Sequence, residues 1–309
     1  MSSEHGRAGA IRIGVDVGGT KIEAVALDVA RRVLERRRMP SPSHDYQAMV
    51  DAVRAIVLDL EATLHGTARV GIGTPGAVSP ASGLIKNANS TVLNGRPFAA
   101  DLGAALGREV RVENDANCFA LSEATDGAGA GHRLVFGVIL GTGVGGGIVI
   151  DGRPWIGPNA IAGEWGHNEL PSRGEADLPD TACYCGRHRC IETYLSGPGL
   201  AADHARATGT RLDPPQIAAR ARAGDSQARA TLDRYTRRLG AALAGVVNLL
   251  DPDVVVLGGG LSNLEELYDP LRAELAAQLF SDGCRSPVLR NLHGDSSGVR
   301  GAAWLWPAD

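Results

Sequence analysis

Two stretches, Ile13–Asp28 (IGVDVGGTKIEAVALD) and Phe136–Asp151 (FGVILGTGVGGGIVID), overlay without a gap at an offset of 123 residues. Each has Gly then Val at its second and third places, a turn built of Gly and Thr, an apolar run and a closing Asp. Apolar, β-branched runs on either side of a Gly-rich turn read as a β-hairpin. Among 41 glycines two such hairpins can match by chance. Here each one opens a half of similar length, and the pair predicts an internal duplication: two related α/β lobes with a cleft between them. One position breaks the symmetry. Asp16 in the first copy is Ile139 in the second, so only one hairpin carries a carboxylate.

The surrounding sequence fits that frame. Residues 11–17, 21–28 and 32–40 read as successive strands. In 46–64 the apolar Tyr46, Met49, Val50, Val53, Val57, Leu60 and Leu64 fall at helical spacing, with Gly66 as the expected stop. Strand RVGIGT, helix FAADLGAALG, strand REVRVEN and helix ANCFALSEA follow. Later, Leu232, Tyr235, Leu239, Leu243, Val246 and Leu250 make one apolar stripe, read as core. DPDVVVLGGGLS reads as a buried strand running through three glycines into a helix, and the apolar GVRGAAWLWPAD is expected to dock on one lobe.

Bulk composition sets limits. A chain of 309 residues with 44% hydrophobic content supports two lobes and excludes general disorder. A net charge of −4 gives no global pull towards nucleic acid or anionic lipid. The one basic run, RRVLERRRMP, has no interleaved aromatic residues and reads as a solvated strand face. No apolar run reaches membrane-spanning length, and the N-terminus lacks the apolar core of a signal peptide. Five cysteines, with Cys118 and Cys284 standing alone, suit a reducing cytoplasm better than a disulfide framework. Cys118 reads as a small hydrophobe packed in its helix.

GTGVGG (141–146) satisfies the dinucleotide fingerprint G-x-G-x-x-G, but it leads into another strand where the fingerprint needs a helix. Such a turn still suits phosphate, because glycines let backbone N–H groups approach anionic oxygens and Thr adds a donor. In DVGGTK, Asp16 is placed to take a water of Mg²⁺, and Lys21 faces either phosphate or solvent. Two turns at duplicated positions, with a third Gly cluster at 258–260, point to a nucleotide. Cys183, Cys185 and Cys190 form C-x-C-x4-C, and three thiolates with one imidazole make a closed structural zinc site. Spacing alone offers His188 or His167 as the fourth ligand. Asn114-Asp115, at a strand–helix junction, reads on its own as an N-cap.

Together DVGGTK, GTGVGGG, EWGHNEL…CYCGRHRCIE and DPDVVVLGGG resemble the ROK family of sugar kinases and repressors, over residues 11 to 305. The resemblance implies the duplicated actin-like ATPase (ribonuclease H-like) fold, two lobes closing over a sugar and ATP. It implies residues 1–117 with 291–309 as the smaller lobe and 118–290 as the larger. It makes Gly18, Gly19, Thr20 and Lys21 the first phosphate loop, puts Thr142 and Gly143 in the second, and sets Gly258, Gly259 and Gly260 near the adenosine. Asp115 is similar to the family's catalytic base. Asn89, Asn114, Glu164, His167 and Glu192 are similar to its sugar contacts, and the turn Gly73–Gly76 lines the same pocket in relatives. It selects His167 as the fourth zinc ligand, one ring nitrogen on the metal and the other facing sugar. Family motifs usually carry Gly where Arg189 stands, and if that turn needs φ > 0, Arg is a costly occupant.

The expected activity is therefore ATP-dependent phosphorylation of a hexose 6-hydroxyl, with Mg²⁺ and a structural zinc. KNANSTVLNGRPF and HGDSSGVRGAAWLWP are most similar to bacterial fructokinases. N-acetylglucosamine kinases and glucokinases of the same family share most motifs. A sugar-responsive repressor is the reading from a different class, yet only about ten residues precede the first strand, too few for a DNA-binding domain. Hexose and ATP are the expected partners, without nucleic acid or membrane, in a homodimer.

Overall fold

A computed structural model describes residues 11–171 and 178–306; the expectations for the first ten residues and for the last three lie outside them. Both hairpins are present. The first pairs β1 (Arg12–Val17) with β2 (Lys21–Leu27) antiparallel, and β3 (Val33–Pro40) adds outside β2. Helix α1 (Tyr46–Leu64) leads to β4 (Arg69–Thr74), parallel to β1. A small ribbon of β5 (Ala77–Val78) and β6 (Ile85–Lys86) and then α2 (Phe98–Leu106) precede β7 (Val110–Asn114), parallel to β4. Helix α3 (Asp115–Asp126) follows at once.

The second hairpin pairs β8 (Leu134–Leu140) with β9 (Val144–Ile150), and β10 (Arg153–Pro154) adds outside β9. Helices α4 (Ile191–Leu195), α5 (Gly197–Thr208), α6 (Pro214–Arg222) and α7 (Ser226–Leu250) come next. Strand β11 (Val254–Gly258) runs parallel to β8, α8 (Tyr268–Gln278) crosses, β12 (Val288–Arg290) runs parallel to β11, and α9 (Ser297–Ala303) is last.

The two five-stranded sheets are ordered β3-β2-β1-β4-β7 and β10-β9-β8-β11-β12. Each has two antiparallel pairings on one side of its first strand and two parallel pairings on the other. The duplication is the plan of both sheets. The gapless overlay fails in one place: Val17 pairs with Ile22 across four intervening residues, Leu140 with Val144 across three. The second turn is one residue shorter, so the second strands are out of step by one.

Three apolar cores hold these layers. One joins α1 and α2 to the first sheet, with Met49, Val53, Val57 and Leu60 buried as their spacing predicts. A second lies under the second sheet, where α7 inserts Leu232, Tyr235, Leu239 and Leu243; Val246 and Leu250 are only partly covered. The third sits between the sheets and contains Val25, Leu27, Phe119, Val135, Val256, Val299 and Trp304. Here α9 covers the first sheet, α3 covers the second, and the two helices pack on one another.

The close approach is set by glycine. Gly14 and Gly137 occupy the same place in the two hairpins, and a Cβ would lie 2.0 Å from the Val299 carbonyl oxygen at the first and 2.7 Å from Ala120 Cβ at the second. Where the helices cross, a Cβ on Gly301 would sit 1.6 Å from the Cys118 oxygen.

Two local expectations change. Helix α1 stops at His65, whose φ of 51° places it in the left-handed region, while the Gly66 N–H bonds back to Glu61. After β11 the chain makes short 3₁₀ turns over Gly260–Asn263 and Glu265–Leu267 before α8 begins. The basic run on β3 is neutralised locally. Arg36 and Arg38 pair with the buried Glu23, and Arg37 with Glu35 and Asp59. Segment 293–303 enters α9 through a short 3₁₀ turn at Gly294–Ser296. The buried Glu123 of α3 receives the N–H groups of Leu292 and His293 and the Ser297 hydroxyl, tying that segment down.

Candidate active site

Parallel strands end on one side of their sheet, and ligands collect beyond their carboxyl ends. Here β1 delivers Asp16, β4 ends in the buried Thr74, and β7 runs through Asn114 straight into α3. Asn114 is the N-cap: its Oδ1 accepts from the N–H groups of Ala116 (2.9 Å) and Asn117 (3.3 Å), and its Nδ2 donates to the Gly76 oxygen at 3.0 Å. Asp115 therefore holds the first helical position. Burial pushes its carboxyl up to about 6, the charge of Glu164 adds to this, and the Ala116 N–H opposes it.

Asp16 is pushed further, to about 7, by burial first and then by the charges of Asp115 and Glu23, with Lys21 opposing. Lys21 itself stands 3.4 Å from Glu23, half exposed. Glu113 and Cys118 are also raised, chiefly by burial. A partly buried, under-compensated cluster of carboxylates has the chemistry to suit a divalent cation, and Asp16 would be the residue to hold it.

Gly18, Gly19 and Thr20 form the first turn, closed by a bond from the Gly18 N–H to the Lys21 oxygen (2.9 Å). In the second turn Thr142 is exposed and the Gly141 N–H reaches the Gly143 oxygen at 2.9 Å. Thr142 and Gly260 line one cavity of about 940 Å³, whose walls include Pro198, Ala201, Pro214 and Gln216 from the starts of α5 and α6. Gly258 and Gly259 serve packing. A Cβ on Gly258 would strike the Phe119 ring at 2.3 Å, and Gly259 has a φ of 79° against Leu140.

On the other side Glu192, in the first turn of α4, accepts the Val144 N–H at 3.0 Å and so ties the second turn to the cysteine segment. Asn89 is exposed. His167, Cys183, Cys185 and Cys190 place one donor atom each within 4.8 Å of one another, and His188 pairs instead with Asp180. Cys185 and Cys190 sulfurs are 3.6 Å apart, and Cys183 Sγ lies 3.7 Å from His167 Nδ1. Tetrahedral zinc with Zn–S of about 2.3 Å needs sulfurs about 3.8 Å apart, far longer than a disulfide. Three thiols and an imidazole at this spacing fit zinc. The turn does need positive φ: Arg189 has a φ of 58°. His167 Nε2 meets the Tyr184 hydroxyl at 3.1 Å, so this nitrogen already has a partner within the chain.

A family model described as the ROK family matches residues 12–309. The chain belongs to the ROK family. An N-acetyl-D-glucosamine kinase of Shigella boydii is 42% identical to this ROK chain over 300 residues, 96% of this chain and 99% of that one. Two solved structures are similar along nearly their whole length. A ROK hexokinase from Thermus thermophilus has TM-score 0.84 and 32% identity, covering 95% of this chain and 96% of its own. A ROK glucokinase from Streptomyces griseus, in complex with glucose and AMPPNP, has TM-score 0.77 and 33% identity, covering 96% and 98%.

These likenesses make the fold the actin-like ATPase fold and the protein a ROK sugar kinase. They do not carry the fructokinase resemblance, since the relative at 42% identity is named for N-acetylglucosamine. The ROK motifs also left features unread. The cavity walls at α5 and α6 were signalled only by GPG and by Asp213-Pro-Pro, where Asp213 and Gln216 form a capping box. Ser90 gave no signal, yet it is buried beside Gly19 with its Oγ unpartnered.

Proposed function

We propose that this ROK kinase transfers the γ-phosphoryl group of ATP to the 6-hydroxyl of a hexose, with N-acetylglucosamine the leading substrate. The observation that carries the reading is Asp115: a partly buried carboxylate at a helix start, near enough to Asp16 and Glu164 for their charges to act on one another. A base whose pKa lies near 6 is ionised at neutral pH yet still able to take a proton.

The sugar hydroxyl donates its proton to Asp115 as its oxygen bonds to the γ-phosphorus, and the bond to the β-phosphate oxygen breaks. Mg²⁺ at Asp16 supplies charge neutralisation on the phosphates. The turns 18–21 and 141–143 cradle the phosphates, and the cavity at Thr142 and Gly260 takes the adenosine. Asn89, Asn114, Glu164, His167 and Glu192 hold the sugar. Because Asn114 already spends its oxygen on the α3 cap, only its remaining N–H is left for a sugar oxygen. Zinc on His167, Cys183, Cys185 and Cys190 fixes the segment that carries Glu192. In this reading residues 1–117 with 291–309 close against 118–290, and the boundary at 117/118 falls inside α3.

Incubating the purified protein with ATP and a panel of hexoses tests the proposal, with ADP release and product NMR as readouts. The expected result is highest kcat/KM for N-acetylglucosamine and a 6-phosphate product. Fructose outrunning it restores the fructokinase reading drawn from KNANSTVLNGRPF. ADP release that no hexose raises above basal hydrolysis overturns the kinase assignment.

A further inference from the structure

Tyr184 stands between two members of the thiol cluster, Cys183 and Cys185. Its backbone belongs to a tight knuckle: the Cys183 N–H bonds to the Arg187 oxygen at 2.8 Å and the Gly186 N–H to the Cys183 oxygen at 3.0 Å. Its side chain is the opposite. It is 76% exposed, and its ring and its hydroxyl both meet His167. The two rings meet edge to face with centroids 5.2 Å apart, and the Tyr184 hydroxyl lies 3.1 Å from His167 Nε2. His167 Nδ1 faces the thiols. A metal on Nδ1 leaves the ring proton on Nε2, so Nε2 donates and the Tyr184 oxygen accepts.

The sugar pocket assigned above needs that same N–H. We propose that the Tyr184 hydroxyl stands where a hexose oxygen must sit on His167, so that the phenol swings aside on binding and Tyr184 sets sugar affinity. The inference rests on the reading of His167 as a sugar contact. It follows from geometry: one donor, one direction, and an acceptor already there. Little packing holds the phenol in place, while the knuckle keeps its pivot fixed, so the exchange is a side-chain rotation about a stationary base. Binding trades one neutral hydrogen bond for another, and sugar affinity carries the cost of the bond given up.

Tyr184→Phe keeps the ring and removes the competing oxygen. The dissociation constant for the best hexose of the panel, measured by calorimetry without nucleotide, is expected to fall about two- to tenfold, the scale of one neutral hydrogen bond. Hexose KM falls with it, kcat stays level and the zinc content is unchanged. Tyr184→Ala, which removes the ring as well, moves affinity the same way. Hexose binding that is unchanged or weaker in Tyr184→Phe overturns the inference and leaves the kinase assignment standing. Loss of zinc in that variant also overturns it, since Tyr184 would then be part of the metal scaffold. A wild-type protein that binds no hexose overturns both.

Discussion

Asp115 joins two properties that rarely coincide at a helix start. The first helical turn favours negative charge, yet burial holds this carboxyl at about 6. Asp115→Asn keeps the shape and removes the proton acceptor, and kcat is expected to fall by about 10²–10⁴ with zinc retained. Near-wild-type turnover in that variant sinks the assignment. The pH dependence has a definite sign. A base must be ionised, and a pKa raised to about 6 puts the rising limb of kcat/KM near pH 6, about two units above an ordinary aspartate. A limb near pH 4 contradicts the burial argument.

On its own Asn114-Asp115 spelled only a helix cap, which Asn114 supplies, and it was the resemblance to ROK motifs that singled out Asp115 as a base. The Arg189 turn was legible because φ > 0 has few tenants. Tyr184 was not, since an exposed tyrosine acquires meaning only through a neighbour seventeen positions away. Lys21 was open in the sequence, and the buried Glu23 beneath it draws it in.

At the scale of elements, strands and amphipathic helices were read well because their periods are written in the side chains. Ends and turns were read less well. His65 takes the left-handed cap of α1 although a glycine follows it, because the backbone bonds to Glu61 and Ala62 fix the stop one residue earlier. The three glycines after β11 look alike in sequence, and only packing separates the two that admit neighbours from Gly260, which faces the cavity.

Packing also gives a sharp contrast between substitutions. Gly301→Ala sets a methyl 1.6 Å from the Cys118 oxygen, forcing α9 off α3, and is expected to cost more than about 3 kcal/mol or to prevent folding. Gly245→Ala, exposed within α7 with nothing inside 4 Å, is expected to stabilise by about 0.5–1 kcal/mol. Urea unfolding of both variants checks the pair. Equal midpoints refute the claim that helix contact is glycine-limited.

Across the whole molecule the duplication was visible in two sixteen-residue stretches, because each hairpin repeats the strand pair that organises its sheet. The central core was not visible. Its members come from β2, α3, β8, β9, β11 and α9, and no local pattern announces such a meeting. That core predicts mechanical unity. Urea transitions followed by tryptophan fluorescence and by far-ultraviolet circular dichroism are expected to coincide. Two separated transitions indicate halves that melt independently.

The placement of α9 has a consequence for how the chain is born. The face of the first sheet that Gly14 and Gly71 present is roofed by residues 297–303. An N-terminal half emerging from the ribosome carries that apolar face bare until residue 303 has been made. The first half to be translated is thus the last to be finished, and it is the half that a nascent-chain chaperone would have most reason to hold.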